Sequence, residues 1–348
     1  MTLSASPWWT PHVHADRRPL LLARGRIKAR VAGYFAEAGF TEVECGVLQV
    51  SPGNEAHLHA FATERLYPDG RRKPLYLHTS PEFSAKKLLA AGETRIWTLG
   101  PVFRNREEGA RHAAEFAMLE WYRVGESYTA LMEDCARLMA AAAEAAGSQM
   151  FRHRGLACDP FAEPERLGVP EAFARFAGID LLATIEPGGA TDGAAFAAAA
   201  REAGIRLAED DTWSDIFSRI LVEKVEPNLG IGRPTILMDY PIAEAALARR
   251  KTDDPRLSER FELYGCALEL ANGFGELTDP AEQRRRFLAE MDEKQRVYGE
   301  RYPLDEDFLA ALAIMPEAAG IALGFDRLVM LATGATRITD VIWTPMAE

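Results

Sequence analysis

The stretch RFELYGCALELANGFGEL, residues 260–277, decides how the chain is read. Apolar and polar residues alternate on both sides of Gly265-Cys266, as two half-buried strands joined by a tight turn would show. A two-residue turn there, glycine first as a type II′ turn prefers, predicts Glu262 opposite Glu269, Leu263 opposite Leu268 and Phe261 opposite Leu270. One face is then apolar and the other carries Glu262, Tyr264, Ala267 and Glu269. Carboxylates paired at ~5 Å repel, and more so when desolvated, so a cation is expected between them. Oxygen-only ligands with no His or Cys nearby suit Mg²⁺ shared with substrate phosphates. On spacing alone, two acids projecting into water from an edge hairpin is an equal reading. Downstream, Asn272-Gly273-Phe274-Gly275-Glu276 adds a third carboxylate after two glycines, able to reach a cationic ligand group or to be an ordinary surface acid.

Two further stretches hold the same kind of chemistry. IWTLGPVFR (96–104) and EFAMLEWYRV (115–124) read as a hairpin with a long polar loop. Strand alternation puts Phe116, Met118, Glu120 and Tyr122 on one face, with Arg104 at the mouth of the loop and His112 within it. Arg104 suits bidentate phosphate recognition, Phe116 could stack on a base, and His112 could donate to another phosphate oxygen. Taken singly, each is more often a core aromatic or a solvated loop residue. In GIALGFDRLVMLATG (320–334) a strand runs into a helix, with Asp326 the expected N-cap and Arg327 in the first turn. The helix macrodipole disfavours a cation there, so Arg327 is expected to meet an anion or an aromatic ring.

Elsewhere, residues 20–39 form an amphipathic helix through Leu21, Ile27, Val31, Tyr34 and Phe35, ending at Gly39. PLYLHTSPEFSAKKLLAAG (74–92) reads as strand, cap and helix, with Ser80 as N-cap, Pro81 first in the helix and Glu82 in its first turn. Residues 128–147 are an alanine-rich helix. Residues 150–212 carry weak signals and read as an insertion, followed by a helix to about 225, a strand at TILMDYP (235–241) and a helix near 280–298. Successive hairpins with interspersed helices predict an α+β fold, an antiparallel sheet flanked by helices. Neither GxGxxG nor GxxxxGK[ST] occurs at a strand-to-helix turn, so a nucleotide must be held another way.

Composition narrows the classes. The 52 Asp+Glu against 40 Lys+Arg give a net charge of −12, a lean against nucleic-acid binding, which usually draws on a basic surface. The apolar runs are shorter than the ~18–20 residues of a membrane span, and the N-terminus lacks the apolar core of a secretory signal, so a cytoplasmic location is expected. Cys45, Cys135, Cys158 and Cys266 form no CxxC pair and are expected reduced and mostly buried.

In order and spacing, residues 104–122, 262–276 and 322–327 resemble the catalytic motifs of class II aminoacyl-tRNA synthetases, most closely those of lysyl-tRNA synthetase; ELANGF…EL, EFAMLEWY and Thr79-Ser80-Pro81-Glu82 are the specific signals. The match begins near residue 20, which leaves a short extension over 1–19, one catalytic domain over 20–348 and no room for an anticodon-reading OB-fold. With Trp121-Tyr122-Arg123 and Ala322-Leu323-Gly324, the chain looks like the elongation factor P–lysine lysyltransferase family. That resemblance implies activation of lysine or (R)-β-lysine with ATP and transfer to a lysine of elongation factor P. It implies a homodimer, Arg104 as α-phosphate clamp, Phe116 and Arg327 around adenine, His112 on the γ-phosphate, and Glu262 and Glu269 as Mg²⁺ ligands. Glu276 and Tyr122 would grip the substrate's side-chain ammonium, with Glu82 and Glu120 near its other amino group. Asn272 would line the same pocket, and Ala322, where true synthetases have glycine, would reshape it. Gly46, Arg106 and Ala113-Ala114 depart from the family's pattern of proline, glutamate and Asn-Pro. A truncated enzyme that charges tRNA or another small acceptor, and a non-catalytic synthetase-like subunit, are the competing readings.

Overall fold

The computed structural model describes residues 7–245 and 247–346. In chain order the elements are α1 (Pro11–Glu37), β1 (Thr41–Glu42), β2 (Leu48–Gln49), β3 (Ala62–Leu66), β4 (Arg72–Leu77), α2 (Glu82–Ala90), β5 (Arg95–Phe103), β6 (Glu115–Val124) and α3 (Thr129–Ala146). Next come β7 (Phe151–His153), β8 (Leu156–Cys158), β9 (Glu165–Gly168), α4 (Val169–Ala177), α5 (Gly193–Glu202), α6 (Trp213–Ile220), β10 (Thr235–Met238), β11 (Arg260–Gly265) and β12 (Leu268–Gly275). The chain closes with α7 (Pro280–Tyr298), α8 (Glu306–Leu312), β13 (Ala318–Gly324) and α9 (Phe325–Thr333).

An eight-stranded sheet in the order β1-β5-β6-β13-β12-β11-β10-β9 organises the described residues. Its centre is antiparallel and only the outer pairs, β1 with β5 and β9 with β10, run parallel. The expected α+β class therefore holds. Alternation on β6 sends Leu119 and Trp121 into one core with α1, α3 and α9, while Glu120 and Tyr122 face the other side. There α2, α7 and α8 pack through Phe83, Phe287 and Phe308, and the space left between helices and sheet is the cleft described below.

Several expectations on local structure are corrected. Of the extension expected over 1–19, residues 1–6 lie outside the described residues and α1 already runs from Pro11, through an internal Pro19. Residues 165–240 build their own apolar core around Phe173, Phe196, Trp213 and Phe217, and β9 and β10 extend the main sheet. Asp326 does not cap α9, whose N-cap is Gly324; its buried carboxylate accepts from the Ala117 N–H at 2.8 Å and pairs with Arg24 of α1.

The largest correction concerns the hairpin of β11 and β12. The turn is Cys266-Ala267, both at positive φ (53° and 54°), so Gly265 pairs with Leu268 and Tyr264 with Glu269. A bulge then shifts the register, and Glu262 pairs with Asn272 rather than Glu269. Neighbouring chain imposes the turn: Cys266 and Ala267 donate their N–H groups to Gly230 and Leu229 carbonyls at 2.7 and 2.9 Å. Without the bulge Asn272 would face away from Glu269; with it, Glu262, Tyr264, Glu269 and Asn272 share one face.

The four cysteines are free, three buried and Cys45 half-buried. No helix of the described residues is long and apolar enough to cross a membrane.

Candidate active site

One cross-strand row forms the floor of the site. Reading from β6 through β13 and β12 to β11, Glu120, Ala322, Asn272 and Glu262 are successive partners. A cleft of about 340 Å³ stands on it, and Glu82, Glu120's neighbour Ser80, Arg104, His112, Phe116, Glu269, Asn272, Ala322 and Arg327 line that cleft. The three separate sequence motifs thus converge on one cavity.

At one end lies a buried acidic box. Glu120 is fully buried; its Oε1 accepts from the Ser80 hydroxyl at 2.6 Å and its Oε2 from the Tyr122 hydroxyl at 2.8 Å. Burial and then the nearby Glu82 push its carboxyl up to about 8. Glu276, 1% exposed, is likewise pushed above the usual carboxylate range by burial, with Lys86 pulling it down and Glu82 raising it. Gly320 lets Glu276 and Tyr122 close over the strand, because a Cβ there would collide with Glu276 Oε1 and the Tyr122 ring.

Lys86 is one site residue that the sequence did not single out. Its Nζ, on a side chain 1% exposed, lies 2.5 Å from Glu82 Oε1 and 2.5 Å from Glu276 Oε2. Burial opposes the charge, but the two carboxylates overcome it and hold the ammonium above the ordinary lysine range. The i, i+4 spacing of Glu82 and Lys86 on α2 was the available signal for half of this arrangement.

At the other end, cations gather around an aromatic wall. Arg104 extends over the Phe116 ring, 5.4 Å from its centroid, and donates from Nε to the Thr79 carbonyl at 3.3 Å. Arg327 meets anionic and polar partners, as its place in the first helical turn suggested. Its Nη1 donates to the Glu269 carbonyl oxygen at 2.9 Å and to Glu269 Oε2 at 3.4 Å. Its Nη2 lies 2.9 Å from His112 Nε2, and since a guanidinium only donates, Nε2 accepts and the imidazole proton sits on Nδ1. Burial, then Arg327, Arg111 and Arg104, hold His112 down at about 4, so it is neutral at pH 7 and offers one N–H donor. Arg111, next to it in the cleft, is a further cation that the sequence reading did not single out.

The two expected metal ligands differ in access. The Glu269 side chain is 41% exposed, yet the walls of the cleft and the charge of Glu262 raise its carboxyl above the usual range. Glu262 is 6% exposed and already accepts from the Tyr240 hydroxyl at 2.6 Å, the Tyr264 hydroxyl at 2.7 Å and Arg260 Nη2 at 2.7 Å. Three clustered His, Cys, Asp or Glu side chains able to cage an ion are not found among the described residues. The donor chemistry therefore fits a hard cation that takes most of its ligands from water and phosphate, with Glu269 open to it and Glu262 behind. Arg106 turns away from the cleft to pair with Glu300 and lie over Tyr298.

An antiparallel sheet with acids on its floor and an arginine–phenylalanine wall beside them is consistent with a class II synthetase-type domain. The family model for class II tRNA synthetases of the D, K and N type matches residues 10–348, and the chain belongs to that family. It is 38% identical over 342 residues to the elongation factor P–(R)-β-lysine ligase of Haemophilus influenzae (strain PittGG), covering 98% of each chain. The ligase of the same name from Proteus mirabilis (strain HI4320) is 38% identical over 336 residues, 94% of each, and that of Histophilus somni (strain 2336) 36% over 347 residues, 98% of each.

Proposed function

We propose that this protein is an AMP-forming ligase that activates lysine or (R)-β-lysine with ATP and transfers it to a lysine side chain of elongation factor P. The observation that carries the reading is the buried Glu82–Lys86–Glu276 box with Glu120 beside it. It is a pocket with more carboxylates than cations, next to a cationic, aromatic-walled cleft, in a chain whose relatives are named for that reaction.

The substrate's ammonium groups complete the charge balance of the box, gripped by Glu276 and Tyr122 at one end and Glu82 and Glu120 at the other. Phe116 and Arg327 hold adenine between them, Arg104 takes the α-phosphate, and His112 donates from Nδ1 to the γ-phosphate. The substrate carboxylate attacks the α-phosphorus and pyrophosphate leaves in line, with Arg104 stabilising the developing charge. Mg²⁺, held by Glu269 with Glu262 behind it, supplies charge neutralisation on the phosphates. The acceptor amine then displaces AMP from the acyl adenylate, so no covalent enzyme intermediate is required. Asn272 and Ala322 lie side by side on the floor of the cleft. A homodimer, as the resemblance implies, belongs to the same reading and is tested by sedimentation.

Lysine-dependent exchange of labelled pyrophosphate into ATP tests the first step, and transfer of labelled lysine to elongation factor P tests the second. Exchange with transfer to tRNA instead would select the tRNA-charging alternative. Failure to bind ATP would select the non-catalytic one.

A further inference from the structure

The acceptor is an ammonium ion at neutral pH and must lose a proton before it can attack. With an ordinary lysine pKa near 10.4, roughly one amine in 2,500 is neutral at pH 7. None of the residues assigned above to nucleotide or to the activated amino acid serves that need. Three more carboxylates line the cleft: Asp326 is paired with Arg24, Glu107 lies 3.8 Å from Arg104 Nη1, and Glu55 stands beside Ser80, Glu82 and Arg104.

The chain around Glu55 is fastened on both sides. The Thr79 hydroxyl donates to the Pro52 carbonyl at 2.8 Å, and Asn54 Nδ2 donates to the Pro303 carbonyl at 3.3 Å. Glu290 on α7 accepts from the Ala56 N–H at 2.9 Å, and Lys294 donates to the Ala56 and Leu58 carbonyls at 2.9 and 2.7 Å. Yet the half-buried Glu55 carboxylate accepts no hydrogen bond and forms no ion pair among the described residues. A backbone fixed this firmly, presenting an acid with nothing to hold, is what a group reserved for an incoming molecule requires.

We propose that Glu55 is the general base of the transfer step, taking a proton from the acceptor lysine's ε-ammonium in the cleft beside Arg104. The proposal rests on the acyl-transfer reading above. The proton passes from nitrogen to the Glu55 carboxylate, and the freed lone pair forms the bond to the adenylate carbonyl carbon. The bond from that carbon to the phosphate oxygen breaks and its electron pair leaves with AMP. The second proton shed by the nitrogen as the amide forms goes to the departing phosphate or to water, and Glu55 returns its own proton to solvent.

The surroundings match the task. The charged groups that act on Glu55 are Arg104 after β5, Glu82 on α2, Glu290 and Lys294 on α7 and Arg260 on β11. Burial raises its carboxyl to about 7, with Arg104 and Arg260 pulling down and Glu82 and Glu290 pushing up. A base poised there is ionised in half or more of the molecules at pH 7 and above, and positioned bases contribute about 10²–10⁴-fold.

The test compares wild type with Glu55→Gln and Glu55→Asp in lysine-dependent pyrophosphate exchange and in single-turnover transfer from preformed adenylate to elongation factor P. Glu55→Gln is expected to slow transfer about 100-fold or more at pH 7 while exchange falls far less. Its transfer rate climbs continuously toward pH 10, where wild type levels off above about 7; Glu55→Asp recovers part of the rate. Hydroxylamine, already neutral at pH 7, needs no base and discharges the adenylate equally in all three proteins. Unchanged transfer in Glu55→Gln would overturn the proposal, and so would parallel loss of exchange, transfer and hydroxylamine discharge, which marks a structural or substrate-holding role. Wild type that forms adenylate but never modifies elongation factor P would instead fail the function above.

Discussion

Lys86 Nζ and Glu276 Oε2 lie 2.5 Å apart, each on a side chain 1% exposed, in the pocket proposed for the substrate's ammonium groups. The protein thus keeps an internal ammonium among the acids that would receive an external one. Removing one partner of a buried ion pair leaves an uncompensated charge, at a cost of about 3–5 kcal/mol. Lys86→Met is expected to lose stability on that scale in urea denaturation, and saturating lysine is expected to restore part of it by supplying a cation to the box. The double variant Lys86→Met/Glu276→Gln should lose less than the sum of the single changes.

Glu120, pushed up to about 8 by burial and Glu82, is mostly protonated below that pH. An ammonium ligand favours the carboxylate, so binding expels a proton and lysine affinity must rise as pH rises toward 8 and then level off. Calorimetric titration across pH 6–9 checks this, and Glu120→Gln is expected to flatten the upper part of the dependence while weakening binding.

Gly320 is required by close approach rather than by backbone angle. Gly320→Ala would force Glu276 and the Tyr122 ring aside. Overpacking of this kind costs about 1–3 kcal/mol in stability. The larger effect is expected on the KM for lysine in the exchange assay, with the KM for ATP nearly unchanged.

Of the two acids proposed for the metal, Glu269 is the more open, whereas Glu262 is occupied by Tyr240, Tyr264 and Arg260. Glu269→Gln is expected to lower exchange by about 100-fold or more, because one preorganised charge at a phosphoryl centre contributes on that order. Full exchange in this variant would remove Glu269 from the metal assignment.

The hairpin of β5 and β6 was legible in the sequence because its ten-residue second strand is rich in apolar and aromatic residues, with Leu119 and Trp121 in the core, and follows a polar loop. The hairpin of β11 and β12 was legible in existence but not in register. Gly265 draws the turn by its chemistry, yet the 229–230 segment accepts hydrogen bonds from Cys266 and Ala267 and moves the turn one residue on. Turn rules see only local residues, and the bulge beyond it carries no glycine or proline to announce itself. Residues 165–240 were opaque because their core is assembled from short, alanine-rich helices with aromatics spread far apart in sequence. The nucleotide end of the site was carried by motif residues, whereas Lys86 reads as a surface lysine until α2 is set against Glu276.

The product formed is the most direct readout of the proposed reaction. Incubation with ATP, Mg²⁺, α-lysine or (R)-β-lysine and elongation factor P, followed by intact mass measurement of the acceptor, is predicted to show the addition of one lysyl group that requires ATP and is absent with Arg104→Ala. An acceptor of unchanged mass with both isomers, from an enzyme shown to be folded, would contradict it.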